Sequence, residues 1–291
     1  MKKVYFIVFC LFFIKIQGFS QVISDCRVLP TYVNGLGFDL KNAAFSTSEQ
    51  KKRGLCFVEL GTGKVYQHKS WSSAGTLGPM LITETSDIFV APIPAVNIYY
   101  NKPSEQNYLY KIDQKTQEMT KVAALPALAN PTPENSFGLM GLAYDCDTKV
   151  IYASSLAGST REKENGRIFA INKLTYQIID TLNNTDCLGL GVAYIQGEKR
   201  LLLGKARNGM VVSIAVKADG SFGETYRKEI NLDGLGPRGD DIARKIRFGA
   251  DGILQIQGVE FYFNLIAPTE KQESKYYFKH NGQKWGLVKM E

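Results

Sequence analysis

Few residues in this chain have the types and spacing to do chemistry. Arg238-Gly-Asp240-Asp241 sets a cation beside two carboxylates, and Asp145-Cys-Asp147 brings two more carboxylates into one short segment. An Asp in a tight turn commonly accepts hydrogen bonds from its own backbone, so the second motif reads as a turn before it reads as a metal site. His68 and His280 are the only histidines. Neither has a Ser or Cys partner in a recognisable pattern, which excludes a histidine-dependent triad and a histidine metal cluster. No catalytic residue is assigned. Trp71, Tyr99 and Tyr100 fall in long polar connections, where large aromatics are the usual anchors of an interface.

The elements that must position these residues come from a repeat. Gly141-Leu-Ala-Tyr144 recurs as Gly191-Val-Ala-Tyr194, and Gly35-Leu-Gly-Phe38 stands near the start. After the first two, a polar turn leads to a second apolar run and then to a hairpin such as Gly166-Arg-Ile-Phe-Ala-Ile-Asn172. This is the pattern of a four-stranded β-propeller blade. Inner strands are expected near Leu36, Leu81, Leu142, Val192 and Ile246, and third strands at 55–60, 109–113, 168–172 and 210–214. The expected fold is therefore all-β: a propeller of five blades, or six if the segment 275–288 forms its own. Leu142, Tyr144, Ile151, Ile168, Val192 and Leu202 should lie in strands and be mostly buried.

That register sorts the connections onto two faces. Short turns at 39–42, 85–87, 145–149, 196–199 and 249–252 share one face with 61–63 and 113–118. Long connections at 67–79, 92–106, 126–137, 154–165 and 227–242 share the other. Loops on a rigid scaffold are where binding residues concentrate, so the candidate binding face holds Trp71, Tyr99, Tyr100, Arg238, Asp240 and Asp241.

Residues 1–20 read as a signal peptide: Lys2 and Lys3, an apolar run from Val4 to Ile14, and small Gly18 and Ser20 before a cut at Gln21. The run is too short to span a bilayer, so no transmembrane segment is expected and residues 21–291 form one domain. Losing Lys2, Lys3 and Lys15 lowers the formal charge from +7 to +4. The remaining basic residues are scattered, and no nucleic-acid partner is expected. Cys26, Cys56, Cys146 and Cys187 permit up to two disulfides, the two in any of three connectivities, or can stay as buried thiols. Cys146 and Cys187 fall on opposite faces and should not pair with each other.

Gly141-Leu-Ala-Tyr-Asp145, Val150-Ile-Tyr-Ala-Ser154 and Gly166-Arg-Ile-Phe-Ala-Ile-Asn172 resemble blades of the gluconolactonase and strictosidine-synthase-like propeller group. That resemblance implies a metal-dependent lactonase or esterase holding a divalent cation in its channel; in this chain the candidate ligands are Asn135, Asp186, Asp240 and Asp241, which the expected register alone brings to the channel mouth. The chain departs from the group in lacking Glu-Gly-Pro, its early strand reading Asn34-Gly-Leu-Gly-Phe-Asp39. The leader ending Gly18-Phe-Ser-Gln21, with a Lys-rich, Tyr- and Asn-containing composition, resembles exported proteins of the Bacteroidota. In size class and location the chain also resembles the subunit that plugs the outer-membrane translocon of the type 9 secretion system. The propeller is expected to run almost to Glu291, and no C-terminal sorting domain is expected after it.

The leading expectation is thus a non-catalytic propeller, without cofactor, in the periplasm or on the periplasmic side of the outer membrane. It would bind another protein, in the most specific form that translocon. The alternatives are the metal-dependent hydrolase and a sugar- or peptide-binding propeller.

Overall fold

A computed structural model of the chain describes residues 26–49, 52–94, 102–129, 135–249, 251–265 and 272–291. The signal-peptide assignment, Tyr99 and Tyr100 lie outside them. Five antiparallel sheets form a ring, a five-bladed β-propeller. Blade one has three strands: β1 (Ala43–Ser46), β2 (Cys56–Glu59) and β3 (Val65–Tyr66). Blade two holds β4 (Leu77–Ile82), β5 (Ile88–Pro92), β6 (Tyr108–Ile112) and β7 (Met119–Ala124). Blade three holds β8 (Leu139–Asp145), β9 (Val150–Ser155), β10 (Arg167–Asn172) and β11 (Ile178–Asn183). Blade four holds β12 (Cys187–Ile195), β13 (Glu198–Lys205), β14 (Met210–Val216) and β15 (Phe222–Asn231), and blade five β16 (Ile242–Phe248), β17 (Leu254–Val259), β18 (Glu273–His280) and β19 (Trp285–Met290). The C-terminal segment is the outer hairpin of blade five, so there is no sixth blade among the described residues.

The repeated glycines have a steric cause. A Cβ on Gly191 would come within 2.7 Å of Ile246 Cγ2 on the next inner strand, and one on Gly141 would strike the Leu188 carbonyl. Inner strands crowd together at the axis, and only glycine permits that approach. The expected start of blade one is corrected: Leu36 ends a 3-10 turn, Thr31–Leu36, closed by Gly37 at φ 68°, and the inner position is taken by β1. Ile151, Ile168, Val192 and Leu202 are buried in strands as expected, whereas Leu142 and Tyr144 are only half-buried. The loop expected to begin at Arg227 begins after Asn231, because β15 runs to that residue.

Apolar clusters fill four of the five blade boundaries. Phe45, Phe57 and Trp71 meet Leu77 and Ile88 between blades one and two. Phe89 and Leu109 meet Ile151 and Phe169 between two and three. Tyr152 and Ile168 meet Leu201 and Leu203 between three and four, and Ala193 and Leu202 meet Ile246, Ile256 and Tyr276 between four and five. Among the described residues no such cluster spans blade five to blade one. There, Lys245 and Arg247 are exposed on the side of β16 opposite Ala243 and Ile246, and Gln257 and Gln255 pair beside them on β17.

Candidate functional site

The inner strands enclose a central channel of about 710 Å³, lined by residues of β1, β4, β8, β12 and β16 together with Cys26, Arg27 and Leu29. Leu81, Leu142 and Val192 contribute apolar wall. Among the described lining residues the charged groups are Arg27, Arg244, Lys245 and Arg247, with no Asp, Glu or His. Arg244 stands at a bulge in β16, between Ala243 and Lys245, where the ladder skips a residue. Bulges of this kind re-aim a side chain and are common beside functional sites. Burial inside the ring pulls the guanidinium pKa values of Arg244 and Arg247 below the ordinary one, and the charge of Arg27 adds to the effect at Arg247. A guanidinium remains protonated under such pressure, so the channel carries positive charge in a partly desolvated space.

The N-terminal segment crosses the short-turn face. A disulfide joins Cys26 to Cys146 in the turn between β8 and β9, with α-carbons 6.2 Å apart. The Val28 amide donates to the Thr83 carbonyl at 3.2 Å, and Ser86 Oγ donates to the Leu29 carbonyl at 3.4 Å. These contacts hold Arg27 at that end of the channel. At the long-loop end an apolar cluster gathers Ile93, Phe137, Met140, Leu188 and Ile242, with Phe261 and Phe263 packed on it.

The other candidate residues do not converge. Trp71, expected at the binding face, is fully buried between blades one and two, its Nε1 donating to the Gln117 carbonyl at 2.8 Å. Asp241 is fully buried and paired with Arg238, which also donates to Ser274 Oγ at 3.0 Å; Tyr276 Oη donates to the same carboxylate. Asp240 is exposed and accepts from Tyr262 Oη. Asp186 is fully buried beneath the long-loop face, accepting from Gly166 N at 2.8 Å and Arg207 Nε at 2.8 Å. Burial pushes its pKa up, while Ser159 and Arg207 pull it down. Asn135 donates to the Ser159 carbonyl. The four residues weighed as metal ligands are therefore committed to separate structural bonds, and among the described residues no group of three or more His, Cys, Asp and Glu could hold a metal ion. The divalent cation does not fit this donor set. Asp145 is likewise a turn residue, accepting from Thr148 Oγ1 at 2.6 Å and from Lys199 Nζ at 2.9 Å.

Sequence reasoning missed Arg244 and Arg247, because an Ile-Ala-Arg-Lys-Ile-Arg-Phe run reads as an ordinary strand. Its one available signal was cations alternating with apolar residues on an inner strand, where the other blades carry Leu, Val and Gly.

No family model matches the chain, and no curated protein matches it. Solved structures with a similar fold include a functionally unknown protein from Desulfotomaculum acetoxidans, 14% identical, covering 86% of this chain and 79% of its own with a TM-score of 0.48. A protein from Lactobacillus plantarum is 11% identical, covers 87% of this chain and 69% of its own, and gives a TM-score of 0.49. The periplasmic gluconolactonase of Pseudomonas aeruginosa is 12% identical over 63% of each chain, with a TM-score of 0.37. Such likenesses concern the fold alone. Among the described residues no helix is long and apolar enough to cross a membrane.

Proposed function

We propose that this chain is an exported, non-catalytic propeller that docks onto another protein through its long-loop face. In its most specific form it is the periplasmic subunit that seals an outer-membrane type 9 translocon. The observation that carries this reading is the stitching of that face. Arg207 donates to the carbonyls of Thr160, Arg161 and Lys163 at 2.8, 2.8 and 2.6 Å, and Arg161 Nε donates to the Tyr262 carbonyl at 2.8 Å. Loops of blades three, four and five thus form one preset surface, while Tyr262 and Leu128 stay exposed on it. A surface ordered before binding loses little conformational entropy on contact.

The test is site-specific photocross-linking in cells, with the reactive group at Tyr262 or Leu128 and, as control, at Lys149 on the short-turn face. Cross-links from the first two positions to a translocon component, and none from Lys149, are the expected result. Capture of no protein from the long-loop positions would remove the docking role; capture of a different envelope protein would remove only the translocon.

A further inference from the structure

We propose that Asn281 is a site of self-catalysed deamidation, in which the Gly282 amide nitrogen closes a succinimide on the Asn281 side chain with His280 as the base. The site lies in the turn between β18 and β19 and is independent of any partner on the long-loop face.

The chain has four Asn-Gly pairs, beginning at Asn34, Asn165, Asn208 and Asn281. Asparagine is thermolabile, and a following glycine, having no side chain, leaves the attacking nitrogen unshielded. The fourth pair differs in what surrounds its reacting atoms. Gly282 N donates to His280 Nδ1 at 3.1 Å, within reach of a general base for the proton it removes. The Asn281 carboxamide oxygen accepts from the amides of Gln283 and Lys284 at 3.0 and 2.9 Å. Two backbone donors at such distances act as an oxyanion hole for charge developing on that oxygen. Burial pulls the His280 pKa below its ordinary value, against the opposing effect of Glu229, so the imidazole is uncharged at neutral pH and Nδ1 can accept. Trp285 packs edge-on against the ring with centroids 5.0 Å apart and holds it in place. Asn281 and Gly282 are exposed, which lets ammonia leave and water enter.

In the reaction, His280 Nδ1 takes the Gly282 N–H proton as the nitrogen bonds to the side-chain carbonyl carbon of Asn281. The tetrahedral intermediate then collapses: the bond from that carbon to Nδ2 breaks, and ammonia departs with the proton that His280 returns. Water opens the imide at either carbonyl, giving aspartate or isoaspartate. Isoaspartate adds a methylene to the main chain where Gln196 Nε2 of blade four donates to the Gly282 carbonyl at 2.9 Å, so the product alters a contact between blades four and five.

Among the described residues the other three pairs lack this set. Asn34 is held inside the 3-10 turn Thr31–Leu36. The amides of Gly166 and Gly209 are buried and donate to the carboxylates of Asp186 and Asp233, weaker bases than a neutral imidazole. Asn165 Nδ2 also donates to the Gly158 carbonyl at 2.7 Å, which restrains the leaving amine.

Incubation of the purified chain at neutral pH and physiological temperature tests this, with samples reduced, digested with trypsin and weighed over time. The peptides 28–41, 164–167, 208–217 and 280–284 report the four pairs separately through the mass gain of an amide turned to acid, and isoaspartyl methyltransferase labels the isoaspartate product. In the folded chain Asn281 should convert about tenfold faster than the other three or more, and His280→Gln should slow it about tenfold or more, a modest share of what a positioned base supplies. In guanidinium chloride the geometry is gone, so Asn281 should lose its lead and parent and variant should convert alike. A thermal melt establishes that the variant is folded. Should it not fold, the parent decides alone, since Asn281 must convert faster in the native chain than in the denatured one. Native conversion of Asn281 no faster than at the other pairs, or no faster than in denaturant, would overturn the proposal. An unchanged rate in folded His280→Gln would overturn it as well.

Discussion

Cys26 and Cys146 stand 120 residues apart in sequence and are joined by a disulfide across the short-turn face, which carries Arg27 to the end of the channel. The sequence reading that Cys146 and Cys187 do not pair agrees with this, and Cys56 and Cys187 are free and buried. In the unfolded chain a bond closing so long a loop removes much conformational freedom. Replacing both cysteines with Ser should therefore lower stability by about 2–4 kcal/mol, read as a shift in the denaturant midpoint. Only the strap is released locally, so limited trypsin digestion should cut after Arg27 in the variant before it cuts within the blades. Identical digestion of the two forms would show that the strap is held without the bond.

Trp71 belongs to the fold rather than to an interface. It packs against Phe45, Tyr66 and Tyr32 with ring centroids 5.9, 5.6 and 6.2 Å away. Trp71→Ala should destabilise the chain by about 3–5 kcal/mol through the cavity it opens. Trp71→Phe, which keeps most of the volume and loses the bond to Gln117, should cost about 1 kcal/mol more than repacking alone. Chemical denaturation separates the two; an unchanged midpoint for the Ala variant would contradict the burial.

The blade pattern was legible because strand alternation and the close-approach glycines are local: Gly141 and Gly191 announce inner strands wherever they occur. Blade one was misread at Leu36, since Gly35-Leu-Gly-Phe38 imitates the motif while Gly37 in the left-handed region closes a 3-10 turn instead. The site was less legible still. Whether Arg238 or Asp186 is free or paired depends on residues that only folding brings near, Asp241 and Ser274 for the first, Arg207 and Ser159 for the second. The same holds for the channel. Nothing local marks Arg27, Arg244, Lys245 and Arg247 as neighbours in one channel, because only closing the ring brings β16 and the N-terminal segment together.

Arg238 and Asp241 form a buried pair rather than a docking site. Arg238→Glu would leave the Asp241 carboxylate facing a second negative charge with, among the described residues, only Tyr276 Oη as a donor. A loss of about 3–5 kcal/mol is expected, the usual size when one partner of a buried pair is removed. Asp241→Asn in the same chain should recover part of that loss, because a neutral amide needs no counter-charge. Thermal melts of the single and double variants decide it: no recovery in the double variant would mean that the cost arises elsewhere in the loop.

Glu84 gives the ring a pH dependence. It lies in the turn after β4 and bonds Lys173 at 2.8 Å and Lys149 at 3.0 Å, tying blade two to blade three. Burial alone would raise its pKa, but the hydrogen bonds from Lys173 and Lys149 win and lower it from 4.5 to about 2. A carboxyl whose folded pKa is depressed stabilises the native state above its unfolded pKa, and that contribution disappears as pH falls through the folded value. After discounting for solvent screening it amounts to about 1–2 kcal/mol, present at neutral pH and lost between about pH 4.5 and 2. Glu84→Gln should therefore be less stable than the parent at pH 7, and the gap should close across that window. Denaturation midpoints at pH 7, 4.5 and 2 measure it; a gap that persists undiminished at pH 2 would show that Glu84 acts through packing and not through its charge.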